Sequence, residues 1–455
     1  MYPRAVIAKL GSVLSRFAAR WVPDPFVLAL GLSLLVFVVG VLRLHVTGAP
    51  GDDGPVWTAL VGWAEEFTDS AGLAFALQMA LVLVTGHAMA MSPPVQRAIQ
   101  LVAAAPNSAA AATGMVAAVA CAAALVHWGL GAITGALLAR EIGRHAQSRG
   151  VALHYPLMGA AAYAGMAIWH AGLSGSAPLV VAEGDDLVGT IPLSDTLLSG
   201  LNLLVLPVLI VLAVGLFTML TPRREAELVS PDPARFPPLR EREARPIDGP
   251  VSWLHESFVP GLVVGAVGLT TVLALVVTGR IGFDIGSVNM MFLFTGVILQ
   301  GGLRHYVEAI ADGARGAGAI ILQFPLYFGI LGIMKATGMV DWIARGMVSL
   351  SSEATFPVLA FLSAGVVNLL VPSGGGQWAV QGDILLGAGG ELGVDPATTI
   401  MAFAYGDAWT NTLQPFWALP LLGIMGLRAG EIIGYTAVLF IAMGLVVPAM
   451  LLIAA

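Results

Sequence analysis

Residues 354–390 read ATFPVLAFLSAGVVNLLVPSGGGQWAVQGDILLGAGG, two apolar arms joined by a polar, glycine-rich turn at 372–378. An apolar helix, a glycine turn and a second helix form a hairpin. Such irregular backbone is tolerated at membrane depth only inside protein or beside a water-filled cavity. The pattern therefore predicts a hairpin that enters a membrane and leaves it on the same side.

A second apolar stretch, at about 107–147, has the same form and is broken at HWGLG (127–131). Outside the two hairpins, further apolar runs have about the 20 residues that span a hydrocarbon core. There are nine of these runs, at about 25–46, 70–91, 156–181, 195–220, 256–279, 285–303, 316–337, 396–426 and 430–454. We predict an all-α polytopic membrane protein with about nine transmembrane helices and two re-entrant hairpins.

The composition excludes an ordinary soluble enzyme. Apolar residues make up 57% of the chain and charged residues 11%, against about 25% charged in soluble domains. The single cysteine, Cys121, excludes a disulfide framework and a thiolate metal cluster. The run 26–44 is too long for a signal-peptide core, so we interpret it as a retained first helix. We expect no cofactor and no nucleic-acid partner.

The basic residues predict the orientation. With a cytoplasmic N-terminus and both hairpins re-entrant, nearly all of the 21 Lys and Arg residues fall on the cytoplasmic side, as the positive-inside rule requires. The four exceptions are Arg43, Arg280, Lys335 and Arg345. We predict a multi-pass protein of the bacterial inner membrane that contacts membrane lipid.

The two halves repeat the same order of elements, span, span, amphipathic arm, hairpin, broken span and span. An odd number of spans between the halves inverts the second copy, and inverted repeats with broken helices are typical of secondary transporters. The predicted parts are an N-terminal repeat at 1–220, a cytoplasmic linker at 221–252, a linking helix at 253–280 and a C-terminal repeat at 281–455. Amphipathic stretches near 56–68, 94–105 and 340–351 are predicted to lie as arms at the membrane–water interface.

The turn of the second hairpin is predicted to bind an anion. Gly374, Gly375 and Gly376 leave backbone N–H groups uncovered, and a helix that starts at Gln377 directs its positive end at the turn. Ser373 and Gln377 could add side-chain donors, with Trp378 beside them. The alternative is a glycine-rich contact between helices.

A second polar segment, GDAWTNTLQP at 406–415, lies midway along a predicted span. Asp407 is a carboxylate within the membrane, and such residues are usually functional. Thr410, Asn411 and Thr412 offer oxygens suited to Na⁺, and Gln414 lies beside them. The alternatives are hydrogen bonding between helices and a proton carried by Asp407, His127 or His170. Coupling to Na⁺ or to H⁺ therefore stays open.

The N-terminal half has related polar segments. They contain His127 and Trp128 at the first hairpin, and His170 and Ser174 in the broken span. We predict that these residues and Trp409 contribute to the substrate site, although a single buried histidine often has a purely structural role.

Several motifs resemble the short-chain fatty acid permease family (the AtoE type), within the ion transporter superfamily. The similarity covers essentially the whole chain. It is carried by NLLVPSGGGQWAVQG (368–382), GDAWTN (406–411), WVPDPF (21–26) and HWGLG (127–131). The family pattern has a proline after Gly382, where this chain has Asp383.

The resemblance implies import of small monocarboxylates such as acetoacetate or butyrate. It also implies an elevator-type transport domain and a homodimer. Two other transport functions stay open, namely a passive channel and a transporter of another small organic anion. GLSG at 172–175 fits an intramembrane serine protease, but the histidines after Ser174 lie near predicted cytoplasmic ends. We therefore expect no catalytic residues and no enzyme activity.

Overall fold

The computed structural model describes residues 2–21, 23, 25–48, 54–184, 188–232, 246–282, 285–315, 317–370, 374–415 and 417–454. Within these ranges the chain is helical and has no β-strand. The N-terminal part contains α1 (Tyr2–Trp21), α2 (Pro25–Thr47), α3 (Gly54–Phe67), α4 (Ser70–Ala90), α5 (Pro93–Ala103), α6 (Ala109–Val126), α7 (Trp128–Ser148), α8 (Tyr155–Ala162), α9 (Ser176–Glu183), α10 (Leu193–Thr196) and α11 (Gly200–Leu220).

The C-terminal part follows a loop of which residues 233–245 lie outside the described residues. It contains α12 (Pro250–Glu256), α13 (Phe258–Val277), α14 (Ile285–Gln300), α15 (Leu303–Ala314), α16 (Gly318–Ala336), α17 (Met339–Val348), α18 (Phe356–Leu370), α19 (Gly374–Glu391), α20 (Pro396–Asn411), α21 (Leu419–Met425) and α22 (Ala429–Ala454). After α1, the order of elements in the first part recurs from α14 onward.

Six described helices are long and apolar enough to cross a membrane. Five of them, α2, α4, α11, α13 and α22, coincide with predicted spans, and the sixth is α6, the first arm of the predicted hairpin. A seventh candidate is α16 with α17, which bend by 69° at their junction. The span predicted at 285–303 forms α14, which has only 16 residues. Within the described residues the structure thus confirms an all-helical fold with several helices long and apolar enough to span a membrane.

Both predicted hairpins form pairs of helices. In the first, α6 ends and α7 begins at His127, whose extended backbone breaks the helix. In the second, α18 and α19 flank residues 371–373, which lie outside the described residues. Hairpin 1 (α6–α7) therefore has its break at the polar turn that the sequence indicates, and the described arms of hairpin 2 (α18–α19) end at Leu370 and begin at Gly374.

The two predicted spans with polar interiors are broken helices. The segment 155–183 runs through α8, two 3-10 turns (Ala164–Ala167 and Trp169–Ala171) and α9. In the other half α20 ends at Asn411 and α21 begins at Leu419. Pro415 lies within this second break, as expected for a residue that lacks a backbone donor. The breaks place unpaired backbone groups deep inside the protein, where other residues must satisfy them.

The predicted amphipathic arms take different positions. The segment predicted at 94–105 forms α5, and the one at 340–351 forms α17, which leaves α16 at the 69° bend. In contrast, α3 packs closely along α16, because Gly62 and Gly332 bring their backbones into contact. A β-carbon at Gly62 would lie 2.7 Å from the Gly332 carbonyl oxygen. The stretch at 56–68 is thus a helix of the packed bundle.

Two ion pairs connect neighbouring helices. Lys335 Nζ lies 2.6 Å from Glu66 Oε1. The Arg304 guanidinium binds Glu256, with Nη2 3.0 Å from Oε2. These contacts connect α3 to α16 and α12 to α15.

Candidate functional site

His170 and Asp407 connect the two broken spans at the centre of the protein. Nδ1 of His170 lies 3.0 Å from Oδ1 of Asp407, and both side chains are fully buried. His170 lies in the 3-10 turn before α9, and Asp407 lies on α20, 237 residues later in the chain. Two of the residues predicted from separate polar segments are therefore direct neighbours.

The hydrogen-bond network fixes the tautomer of His170. The backbone N–H of Ala177 donates to Nε2 at 3.1 Å, so Nε2 must carry a lone pair. Nδ1 then bears the proton and donates it to the carboxylate of Asp407. The imidazole is neutral in this arrangement, and it also satisfies a first-turn N–H group of α9. Both ring nitrogens are occupied, so His170 does not serve as a base for Ser174.

Two asparagines extend the network from Asp407 into hairpin 2. Nδ2 of Asn411 donates to Asp407 Oδ1 at 2.8 Å. Nδ2 of Asn368 then donates to Asn411 Oδ1 at 2.6 Å, to Thr410 Oγ1 at 2.9 Å and to the backbone carbonyl of Asp407 at 2.9 Å. Gly406 makes this possible, since a β-carbon there would collide with the Phe361 carbonyl of α18. Hairpin 2 and α20 thus share one buried polar cluster.

Tyr163 satisfies the backbone at the break after α20. Its hydroxyl contacts the carbonyl oxygens of Asn411 at 2.9 Å and Gln414 at 3.0 Å. Thr412 donates its hydroxyl to the Trp409 carbonyl at 2.6 Å. Gln414 Nε2 donates to the backbone carbonyl of Asn368. Of the predicted Na⁺ ligands, Thr410 and Asn411 therefore have side-chain oxygens that accept from Asn368, whereas the Thr412 hydroxyl donates to a backbone carbonyl.

The start of α19 lies directly against the N-terminal broken span. A β-carbon at Gly374 would be 3.0 Å from His170 Cε1, 3.0 Å from Trp169 Cη2 and 3.3 Å from Ser176 Oγ. At Gly375 the nearest such atom is Ser176 Cβ, at 3.9 Å. Gly374 is thus a position of close approach, whereas a β-carbon at Gly375 would make only an ordinary van der Waals contact. Ser373, the other predicted anion ligand, lies outside the described residues.

The other predicted residues of hairpin 2 are engaged in packing. Gln377 Nε2 donates to the Ala364 carbonyl at 2.8 Å and to Gln381 Oε1 at 2.9 Å. Both of its N–H groups are thereby used within hairpin 2, so Gln377 has no donor left for an anion. Trp378 packs edge-on against Phe403, with ring centroids 4.9 Å apart. The extra acid, Asp383, is exposed on α19.

At the turn of hairpin 1, nearby side chains accept hydrogen bonds from the first N–H groups of α7. The first N–H groups of α7 donate to Ser174 Oγ (from Trp128, 3.1 Å) and to His127 Nδ1 (from Gly129, 3.2 Å). The backbone N–H of Leu173 donates to the Leu125 carbonyl at 2.8 Å. His127 and Ser174 therefore cap a helix, and the positive end of α7 is occupied internally.

An aromatic cluster lies beside the two turns. Trp417, in the break before α21, contacts the rings of Trp128 and Trp169, with centroids 5.0 and 6.4 Å away. Phe75 of α4 and Phe324 of α16 pack on the same indole at 6.5 and 6.2 Å. Trp169 belongs to this cluster and also lies beside Gly374, so the cluster presents an apolar surface next to that glycine.

Trp409 lies away from this centre. Its ring stacks on Phe440 of α22, with centroids 4.5 Å apart, and its Nε1 donates to the Phe440 carbonyl.

Sequence reasoning gave no role to Asn368, Tyr163, Trp417, Tyr405 or Asn202. Asn202 of α11 accepts from Tyr405 at 2.9 Å and donates to the Ala171 carbonyl at 3.0 Å. Asn202 and Tyr163 could have been found from the sequence, because each is a polar side chain inside an otherwise apolar run.

Comparisons with known proteins identify the family. The family model described as "Short chain fatty acid transporter" matches residues 6–454. The chain belongs to the short-chain fatty acid transporter family. A relative from Escherichia coli (strain K12), named "Putative short-chain fatty acid transporter", is 36% identical over 443 residues, which cover 96% of this chain and 97% of that protein.

A second relative and one solved structure complete the comparison. The protein of the same name from Haemophilus influenzae is 31% identical and covers 96% of this chain, with 98% of its own length covered. The YdaH transporter of Alcanivorax borkumensis aligns with a TM-score of 0.43 at 15% identity, over 94% of this chain and 98% of that one. The family model and the two relatives confirm, at the family level, the resemblance seen in the sequence motifs.

Proposed function

We propose that the chain is a secondary active transporter that imports short-chain fatty acids and other small monocarboxylates, such as acetoacetate and butyrate. The carrying observation is the start of α19, where glycines face Trp169, His170 and Ser176 at the centre of the protein. The first N–H groups of a helix have no acceptor within the helix, and they favour an anion. Membership of the transporter family supports the same function.

One helix N-terminus is assigned to the substrate carboxylate. Three helices begin near the centre, but α7 is capped by Ser174 and His127, and α9 by His170. At Gly375 of α19 a β-carbon would make only an ordinary van der Waals contact, with Ser176 Cβ at 3.9 Å. We therefore assign the substrate carboxylate to the first turn of α19. The Trp128, Trp169 and Trp417 rings next to it suit a short apolar chain.

Transport across a polarised membrane needs a driving ion. A monocarboxylate is charged at neutral pH, and a membrane potential negative inside opposes its entry by about 2.3 kcal/mol per 100 mV. One co-transported cation would cancel this term. We propose symport with Na⁺ or H⁺ across the bacterial inner membrane, with the N-terminus in the cytoplasm. Two inverted repeats, re-entrant hairpins, an elevator-type movement and a homodimer complete the proposal.

Uptake in proteoliposomes tests this function. Labelled butyrate and acetoacetate are offered with Na⁺ and pH gradients imposed separately. We expect accumulation above the external concentration under at least one inward cation gradient, and none in protein-free vesicles. Equilibration without accumulation under either gradient would favour a passive channel. Accumulation of another organic anion in place of both acids would leave the mechanism standing but replace the substrate.

A further inference from the structure

The first helix, α1, is amphipathic and is not one of the described helices that are apolar enough to span a membrane. Its 20 residues contain four basic side chains and no acidic one. The basic residues are Arg4, Lys9, Arg16 and Arg20. Positive charge is thus concentrated on one helix, and the position of that helix relative to the spans decides what the charge can meet.

The contacts of α1 place it at the ends of two apolar spans. A β-carbon at Gly434, in the second turn of α22, would lie 2.1 Å from Ser15 Cα. A β-carbon at Gly11 would lie 2.6 Å from Cδ2 of Leu220, the last residue of α11. Because α11 ends and α22 begins at this level, α1 packs at a boundary of the apolar layer.

The outward side of α1 carries an apolar stripe. Val13, Phe17 and Trp21 follow one another at intervals of four residues, which places them on one side of the helix. They are 44%, 60% and 65% exposed. The Phe17 and Trp21 rings stack with centroids 6.1 Å apart. Gly11 and Ala18, in contrast, are buried, so the stripe lies outside the packed side of α1.

Basic residues run beside the apolar stripe. Arg16 and Arg20 are exposed and lie four residues apart, each directly before one of the two aromatic residues of the stripe. Arg20 Cζ lies 5.9 Å from the centroid of the Trp21 ring. Lys9 is also exposed and precedes Arg16 by about two helical turns, which places it on the same side. A positive stripe therefore borders an apolar stripe on the exposed surface of α1.

This surface fits an anionic lipid. Helices with Lys or Arg on one side and Trp or Phe on the adjoining side bind at the membrane interface, and basic residues there attract anionic headgroups. We infer that α1 binds anionic phospholipid, with the headgroup phosphate on Arg16 and Arg20 and the acyl chains against Phe17 and Trp21. The site lies on the outer surface of the protein and does not hold the substrate or the driving ion.

Thermal unfolding of the purified full-length protein in detergent tests the site. Phosphatidylglycerol or phosphatidylcholine with identical acyl chains is added, and Tm is followed at fixed pH and ionic strength. A ligand that binds only the folded state raises Tm. We expect a saturable rise with phosphatidylglycerol and none with phosphatidylcholine. Arg16→Gln together with Arg20→Gln should increase the phosphatidylglycerol concentration for half the shift by about tenfold or more.

Arg223→Gln together with Arg224→Gln is the matched control. Both arginines are exposed and follow the end of α11, so this variant loses the same charge close to the same span end. Its response to phosphatidylglycerol should equal that of wild type. A response that stays unchanged in the α1 arginine variant, or that weakens equally in the control, would overturn the site.

A soluble headgroup analogue separates a lipid site from a simple phosphate site. Glycerol 3-phosphate carries the phosphate without acyl chains, and at the same concentration it should leave Tm unchanged. Phe17→Ser together with Trp21→Ser keeps both arginines but should weaken the phosphatidylglycerol response by about tenfold or more. A full shift with glycerol 3-phosphate would overturn lipid binding.

The aromatic variant also tests whether a second copy of the chain covers the stripe. Its oligomeric state in detergent should equal that of wild type. A changed oligomeric state combined with a wild-type lipid response would assign the stripe to a contact between protomers and overturn the inference.

Discussion

Two adjacent glycines at the start of α19 are expected to respond differently to the same substitution. Gly374 touches Trp169 and His170, whereas a β-carbon at Gly375 meets nothing closer than 3.9 Å. Gly375→Val should therefore leave folding and membrane insertion intact but abolish butyrate uptake, because its side chain fills the space assigned to the carboxylate. Gly374→Val should lower Tm as well. Normal uptake by the Gly375 variant would show that the substrate binds elsewhere.

Tyr163 is expected to stabilise the break between α20 and α21. Its hydroxyl serves the carbonyls of Asn411 and Gln414, and removing a donor from buried acceptors costs about 1–3 kcal/mol. Tyr163→Phe should lower Tm accordingly while keeping the ring in place. Phe403→Leu offers a comparison in which packing changes but no hydrogen bond is lost. A Tyr163→Phe variant as stable as wild type would contradict this role of the hydroxyl.

At the scale of single elements, His154, the residue just before α8, should make the stability of the protein depend on pH. His154 is buried before α8, with Nε2 3.0 Å from the Tyr435 hydroxyl, and burial lowers the pKa of His154 to about 4. Unfolded chains take up this proton near pH 6.5, so the folded state loses stability as pH falls from about 6.5 to about 4. His154→Gln should flatten Tm across this range relative to wild type. Parallel curves would contradict the assignment.

Elements were predictable from the sequence where a simple pattern determined them. Long apolar runs located α2, α4, α11, α13 and α22, and the polar turn at His127 located the break of hairpin 1. The packing of α3 along α16 was not predictable, because it depends on Gly62 meeting Gly332 across 270 residues of chain. The same holds within the site: Asp407 and His170 were identified singly, but only the fold shows which oxygens already have partners and that Trp409 packs on α22.

For the whole molecule, the contact of α3 with α16 is expected to be a rigid joint between the halves. Gly332→Leu would force the two helices apart, since the Gly62 backbone occupies the space of any side chain there. We expect a loss of about 2 kcal/mol or more, as for other overpacked positions, measured as Tm in detergent. Gly346→Leu on α17, where nothing lies within 4 Å, is the control. Equal Tm values for both variants would contradict a rigid joint.

The hydrogen bonds across the two halves have a consequence for synthesis. Three side chains of the first half leave the ribosome long before their partners. Asp407 follows His170 by 237 residues, Asn411 follows Tyr163 by 248, and Tyr405 follows Asn202 by 203. Until the last third of the chain is inserted, the first half holds its polar side chains in the bilayer without these partners. A truncated first half should therefore be a substrate for quality-control proteolysis, and co-expression of the second half should protect it. The membrane would then retain only chains whose two broken spans have met.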